Sequence, residues 1–161
     1  MRSTDPPTVS CIRLAEIEEA AALSDLCFRA KRTWDYDDAF MGLAREALQV
    51  LPEQIEAGDV WVATAPDGSL AGVLVLASAE QPATIDLNKL FIEPRQMRAG
   101  FGRVLLTYAV AEARRRGANR IAILADPYAA PFYERHGARL IGEAPSDAIP
   151  GRFLPLYEIA L

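Results

Sequence analysis

The residues best suited to chemistry lie in RQMRAGFGRVLL, residues 95–106, where Gly100 and Gly102 stand two apart between Arg98 and Arg103. An apolar, helix-like run follows them. Glycine lets neighbouring backbone N–H groups converge on a ligand with no Cβ in the way. A helix start adds unpaired donors and about half a positive charge. Together these make a cradle for an anion, phosphate above all, and the two arginines can add charge-assisted contacts. Two nucleotide motifs are excluded. The triphosphate loop G-x-x-x-x-G-K-[ST] is absent, and G-x-G-x-x-G fails because Leu105 stands at its third glycine. An ordinary glycine turn before a helix is the plainer reading of the same residues. Other chemistries have little material. Cys11 and Cys27 are the only cysteines and His136 is the only histidine. Neither a metal spacing nor a Ser-His-Asp triad is available from them, so no metal is expected. The thiols read as buried side chains in a reducing compartment.

Periodicity shows which elements would position this loop. DPPT (5–8) marks a loose start and VSCIRLAE (9–16) a short strand. Residues 16–30 repeat apolar side chains at Ile17, Ala21, Leu26 and Ala30, and residues 38–50 at Phe40, Met41, Ala44, Ala47 and Leu48. Both spacings predict helices, separated by KRTWDYDD. VWVATA (60–65) and LAGVLVLAS (70–78) flank PDGS and predict an antiparallel hairpin. In ATIDLNKLFIEP (83–94), Ile85 and Leu87 share one parity and Leu90 and Ile92 the other. A strand keeping one face buried needs an odd residue between Leu87 and Leu90, which is a β-bulge. Phe101, Val104, Leu105, Tyr108 and Ala111 make residues 100–116 the clearest helix. Arg114, Arg115 and Arg116 suit its C-terminal dipole and Gly117 its termination. RIAILA (120–125) reads as a buried strand. DPYAAPFYERHG reads as a short helix from near residue 128, because Pro131 must lie in its first turn. His136 then falls in the last turn. ARLIGEA and RFLPLYEIA close the chain as strands. The expected fold is mixed α/β: a mostly antiparallel, twisted sheet of six or seven strands with about four helices. Its order is β-α-α-β-β-β-α-β-α-β-β, and residues 1–161 form a single domain.

With that layout, two blocks of sequence resemble the GNAT superfamily of acyl-CoA-dependent N-acetyltransferases, in its prokaryotic single-domain type. MRAGFG (97–102) fits the loop pattern [RQ]-x-x-G-x-[GA] at both glycines, with Met97 where Arg or Gln is usual. DPYAAPFYERHGA (126–138) fits N-x-x-A-x-x-F-Y-x-x-x-G-[FA] at Ala129, Phe132, Tyr133, Gly137 and Ala138, with Asp126 in place of Asn. The resemblance covers residues 70–161 well and the N-terminal third loosely. It implies that Met97, Arg98, Ala99, Gly100, Phe101, Gly102 and Arg103 hold the pyrophosphate of coenzyme A. It implies that the backbone of Leu90, Phe91 and Ile92 carries the pantetheine arm like an added strand, with Asp126, Ala129 and Tyr133 completing the coenzyme site. It also implies direct attack on acetyl-CoA without an acyl-enzyme, with Tyr133 as general acid facing the sulfur. Packing on the sheet is the plainer role for Tyr133.

Acetyl transfer to an amine needs a base, since an alkylammonium has a pKa near 10. Asp86 and Glu93 flank the bulge, and either can act directly or through water. A sheet-edge charge and a solvated loop charge are the plainer readings. Trp34 and Tyr36, among Asp35, Asp37 and Asp38, can stack on a cationic amine, or close the core while the acids begin a helix. Ser146 and Arg152 belong to an acceptor pocket or to a dimer contact. The charge is −5, from 17 basic and 22 acidic residues, which weighs against nucleic acid and anionic membranes as partners. No apolar run reaches the ~18 residues of a membrane span, and MRSTDPPTVS lacks the core of a signal peptide. The expected protein is a cytoplasmic N-acetyltransferase using acetyl-CoA on a small-molecule amine, with a homodimer left open. A protein or peptide N-acetyltransferase, and a non-catalytic acyl-CoA-binding or regulatory module, are the alternatives. The acidic balance argues against a tRNA-acetylating relative.

Overall fold

In the computed structural model, residues 11–161 are described, and the DPPT segment lies outside them. The strands are β1 (Cys11–Leu14), β2 (Val60–Thr64), β3 (Leu70–Ser78), β4 (Thr84–Ile92), β5 (Arg120–Leu124), β6 (Arg139–Pro145) and β7 (Phe153–Ala160). The helices are α1 (Ala20–Arg32), α2 (Asp38–Ala44), α3 (Pro52–Glu56), α4 (Phe101–Arg115) and α5 (Ala130–Arg135). All seven strands form one sheet in the order β1-β2-β3-β4-β5-β7-β6. Only the β4–β5 pair is parallel among them. The mixed α/β fold expected from the sequence is the one observed.

The continuous apolar run of β3 exists because both its faces are covered. Leu74 and Leu76 pack with Phe101, Leu105, Leu106 and Ala109 of α4 and with Ile121 and Ile123 of β5. Val73 and Val75 pack with Leu23, Leu26 and Cys27 of α1 and with Met41 and Ala44 of α2. Cys27 is a free, buried thiol; the side chain of Cys11 lies outside the described residues. Among the described residues, no helix is long and apolar enough to cross a membrane.

Three helix boundaries depart from the periodicity. The helix expected over 38–50 stops at Ala44, and a fifth helix, α3, starts at Pro52. Proline keeps its preceding residue extended, and Leu51 sits at φ −91, ψ 141. Val50 just before it donates to the Ser24 hydroxyl at 2.8 Å. The first helix runs on through Lys31 and Arg32, with a 3-10 turn in place of its expected start. The helix expected from 128 begins at Ala130, because Asp126 first turns the chain: its carbonyl accepts from Ala129 and Ala130. At the end of α4, Arg115 and Arg116 hold the buried Glu112, and Arg116 also reaches Asp59 at 2.9 Å.

The feature that positions a site is in β4. Val75 lies opposite Lys89 and Leu76 opposite Leu87, so Asn88 is the odd residue. The bulge stands where the parity switch requires it. At the same point β4 leaves β5: they pair only from Thr84–Arg120 to Asp86–Ala122. β5 stays with β7 as far as Leu124–Leu156. The sheet therefore splits beyond Asp86.

Candidate functional site

The split opens into a cleft of about 370 Å³ that passes from one face of the sheet to the other. Tyr133, Ala129, Leu87 and Leu90 line it from the α4–α5 face. Asp86, Lys89 and Phe91 line it from the α1–α2 face, with Lys31, Trp34, Ser146 and Asp147 around its rim. From Leu87 to Ile92, the β4 edge that would face β5 has no strand partner among the described residues. Leu90 and Ile92 pack their side chains toward α4, and Phe91 packs on the opposite face. Their main chain is thus free on one side, while the side chains serve the core.

The glycine loop lies at the start of α4. Gly100 is the residue before the first turn, at φ 91 in the left-handed region, and Arg98 is also left-handed at φ 65. Among the described residues, no side chain caps the start of the helix. Among the described residues, nothing accepts the N–H of Arg98, Gly100, Phe101, Gly102 or Arg103. Arg98 and Arg103 are exposed and have no acidic partner there. Met97 and Ala99 are exposed too, whereas the Phe101 side chain is buried in the core. Gly102 has a packing role besides. A Cβ there would lie 3.3 Å from the Phe132 ring, so its absence lets α5 close on the first turn of α4. The two sequence blocks are one packed unit.

Tyr133 is buried, with 5% of its surface exposed. The residue lines the cleft, and its hydroxyl has no hydrogen-bond partner among the described residues. Burial pushes its phenol above the usual range, so it stays protonated. The two carboxylates expected as bases differ sharply. Asp86 lines the cleft, and burial, reinforced by Asp147 and Glu80, raises its pKa. Glu93 does not line the cleft: both of its oxygens accept from the Arg29 guanidinium. A carboxylate held this way is committed to an ion pair away from the cleft.

Trp34 and Tyr36 also part company. Trp34 lines the cleft and stacks on Tyr128, with ring centroids 5.8 Å apart. Tyr36 is committed elsewhere. Its hydroxyl donates to Asp126 Oδ2 and accepts from Arg152, both at 2.7 Å. One ring face is covered by Phe40 at 3.9 Å. The Tyr36 pKa is pushed up to about 12, by burial first and then by the bond to Asp126. Asp126 itself, expected at the coenzyme, pairs with Lys31 at 3.1 Å and accepts the Tyr128 N–H at 2.9 Å. Asp37 caps α2 through the Phe40 N–H, and Asp38 pairs with Arg32. The acids around Trp34 are thus largely structural. His136 ends α5, its Nδ1 2.8 Å from the Phe132 carbonyl. Ser146 turns the β6–β7 loop by accepting from Ala148 and Ile149.

Sequence reasoning missed Lys31 and Lys89. The signal for Lys89 was present: once the bulge is placed, it falls in phase with Phe91 on a covered face. Lys31 gave none, since its partner is 95 residues away. Among the described residues, no group of three His, Cys, Asp or Glu side chains is placed to hold a metal.

Residues 33–147 match the family model of the acetyltransferase (GNAT) domain. No curated protein matches the chain in sequence. Among solved structures, PaiA N-acetyltransferase from Thermoplasma acidophilum in complex with coenzyme A superposes with a TM-score of 0.76 at 17% identity, covering 94% of this chain and 98% of that one. The GCN5-related N-acetyltransferase of Rhodopseudomonas palustris also gives 0.76, at 19% identity over 100% and 99%. N-acetylglutamate synthase from Neisseria gonorrhoeae, complexed with coenzyme A and N-acetyl-glutamate, gives 0.68 at 17% identity, over 94% of this chain and 35% of that one. At these identities the likeness is one of fold.

Proposed function

The chain belongs to the GNAT acetyltransferase family, and from that premise we propose that it transfers an acetyl group from acetyl-CoA directly to the amine of a small molecule. The observation that carries this reading is the through-sheet cleft, which brings Tyr133 to one face and Asp86 to the other. The remaining parts fit the coenzyme. Five N–H groups and two arginines that have no partner among the described residues suit the pyrophosphate. The open β4 edge at Leu90–Ile92 suits the amides of the pantetheine arm, as strand addition does elsewhere. The Thermoplasma neighbour was solved in complex with coenzyme A.

Bound acetyl-CoA supplies the activated thioester. The chain's own residues supply placement and proton traffic. Asp86, more basic than an ordinary carboxylate, takes the proton of the incoming ammonium directly or through one water. The freed amine forms the N–C bond as the C–S bond breaks. Tyr133 gives its phenolic proton to the departing sulfur and is reprotonated by the second proton that the nitrogen sheds as it becomes an amide, while Asp86 releases the first to solvent. Glu93, held by Arg29, is left out of this role. Cys27 is also left out: burial raises its thiol to about 12, far from a nucleophile.

The test is a calorimetric titration with acetyl-CoA beside acetyl-pantetheine, which lacks the pyrophosphate. The expected result is micromolar binding of the first and at least a hundredfold weaker binding of the second. Thiol release with a panel of amines then reads the transfer. No binding at millimolar acetyl-CoA overturns the reading.

A further inference from the structure

Lys89 has no part in the transfer described above, yet it stands in the cleft wall with 7% of its surface exposed. The bulge puts it there. Leu87 faces α4, Asn88 is the odd residue, and Lys89 therefore turns toward α1 on the same face as Asp86. With the bulge residue set aside, the two lie two pleat positions apart, about 7 Å along the strand. The Lys89 ammonium has three donors. Among the described residues only the Asn88 Oδ1 accepts one of them, at 2.9 Å, and no carboxylate pairs with it. The titratable group facing it from α1 is Cys27, a neutral thiol that offers no counter-charge.

A buried ammonium without a counter-ion is costly. The opposite imbalance lies beside it. Asp86 and Asp147 line the same cleft, and neither has a cationic partner among the described residues. The other lysine of the lining, Lys31, is spent on Asp126. The α1–α2 face of the cleft and its rim thus carry a positive charge and a negative pair with no counter-charge among the described residues.

We propose that the acceptor is a zwitterion of the amino-acid class, its carboxylate held by Lys89 and its amino group held by Asp86 and Asp147. This deepens the acetyltransferase reading and rests on it. The arrangement sets the amine beside the carboxylate that deprotonates it, and the acid group fixes which end enters first. Plain alkylamines fill the negative pole only and leave Lys89 buried and unpaired.

The experiment is thiol release from acetyl-CoA with the twenty L-amino acids, each beside its carboxamide, for the wild-type chain and Lys89→Met. At least one amino acid is expected to exceed its carboxamide by tenfold or more in kcat/KM. In Lys89→Met that preference is expected to vanish through a rise in KM for the acid, with the carboxamide unchanged. Removing a buried, unpaired charge leaves the fold intact. Melting of the wild-type chain with the same ligands and no acetyl-CoA gives a second readout, in which the acids raise the midpoint and the carboxamides do not. Equal rates for acid and carboxamide overturn the proposal, and so does a preference that survives in Lys89→Met. An acetyl group found on Lys89 by mass spectrometry also overturns it, by making the lysine an acceptor. Should the chain fail to bind acetyl-CoA, the acetyltransferase reading falls alone if the acids still raise the midpoint; if they do not, both fall.

Discussion

In the proposed transfer Tyr133 and Asp86 act on protons, and their surroundings make the consequences of removing them separable from folding. The Tyr133 hydroxyl has no protein partner among the described residues, so Tyr133→Phe leaves nothing buried and unpaired. It is expected to lower kcat by about a hundredfold, within the usual range of general acid catalysis, while acetyl-CoA affinity by calorimetry stays within about twofold. An unchanged kcat removes the acid role. Asp86 gives a sharper sign. Burial raises its pKa in the folded chain, so the folded state holds that proton more tightly than the unfolded one does. Stability from this group is present at low pH and falls as pH rises through the raised value. Asp86→Asn is therefore expected to melt no lower than wild type at pH 7 and to lose about a hundredfold in kcat. The acid limb of the wild-type pH–rate profile should disappear with it. A lower melting point with unaltered rate would mean a structural aspartate. At this scale the sequence was half readable. Both residues were singled out, but Glu93 looked equivalent to Asp86 until Arg29, 64 residues away, was seen to occupy it.

Elements were more legible than their ends. Parity alone placed the bulge between Leu87 and Leu90, because burial on one face forces it. The 3.6-residue repeat gave α4 to within a residue at each end. What periodicity lacked was α3, too short to repeat, and the divergence of β4 from β5, which is a relation between strands rather than a property of one. The glycine loop joins the two lessons. Gly100 is left-handed at φ 91 and Gly117, beyond the other end of the same helix, at φ 83. Placing valine in either conformation costs about 1–2 kcal/mol. Gly100→Val and Gly117→Val should therefore show similar losses in thermal or chemical melting. Only Gly100→Val should also abolish acetyl-CoA binding, because only there does a branched side chain crowd the unpaired N–H groups. Matched losses of both properties in the two variants would reduce the loop to a structural turn.

Across the whole molecule, the walls of the cleft come from segments far apart in the chain and need a tie. The cluster of Lys31, Tyr36, Asp126 and Arg152 provides it. Tyr36 lies between α1 and α2, Asp126 just past β5, and Arg152 in the loop before β7, so three connections meet on one carboxylate. The Asp126 side chain is only 8% exposed and Lys31 14%. No periodicity encodes such a contact; separations of 90 and 116 residues between its members kept it out of the sequence reading. Asp126→Ala strands Lys31 beside Arg152 without their counter-ion and is expected to cost about 3–5 kcal/mol. Tyr36→Phe removes one neutral hydroxyl, which donates to Asp126 and accepts from Arg152, and should cost about 1–2 kcal/mol. Since both act through one hydrogen bond, the double variant should be less destabilised than the sum, by about 1–2 kcal/mol. Tyr36→Phe should also raise the acceptor KM severalfold with the acetyl-CoA Kd unchanged, because the loosened segments bound the α1–α2 side of the cleft. Strict additivity in urea melting, or a change in the Kd instead of the KM, would show that the cluster supports the fold without shaping the acceptor side.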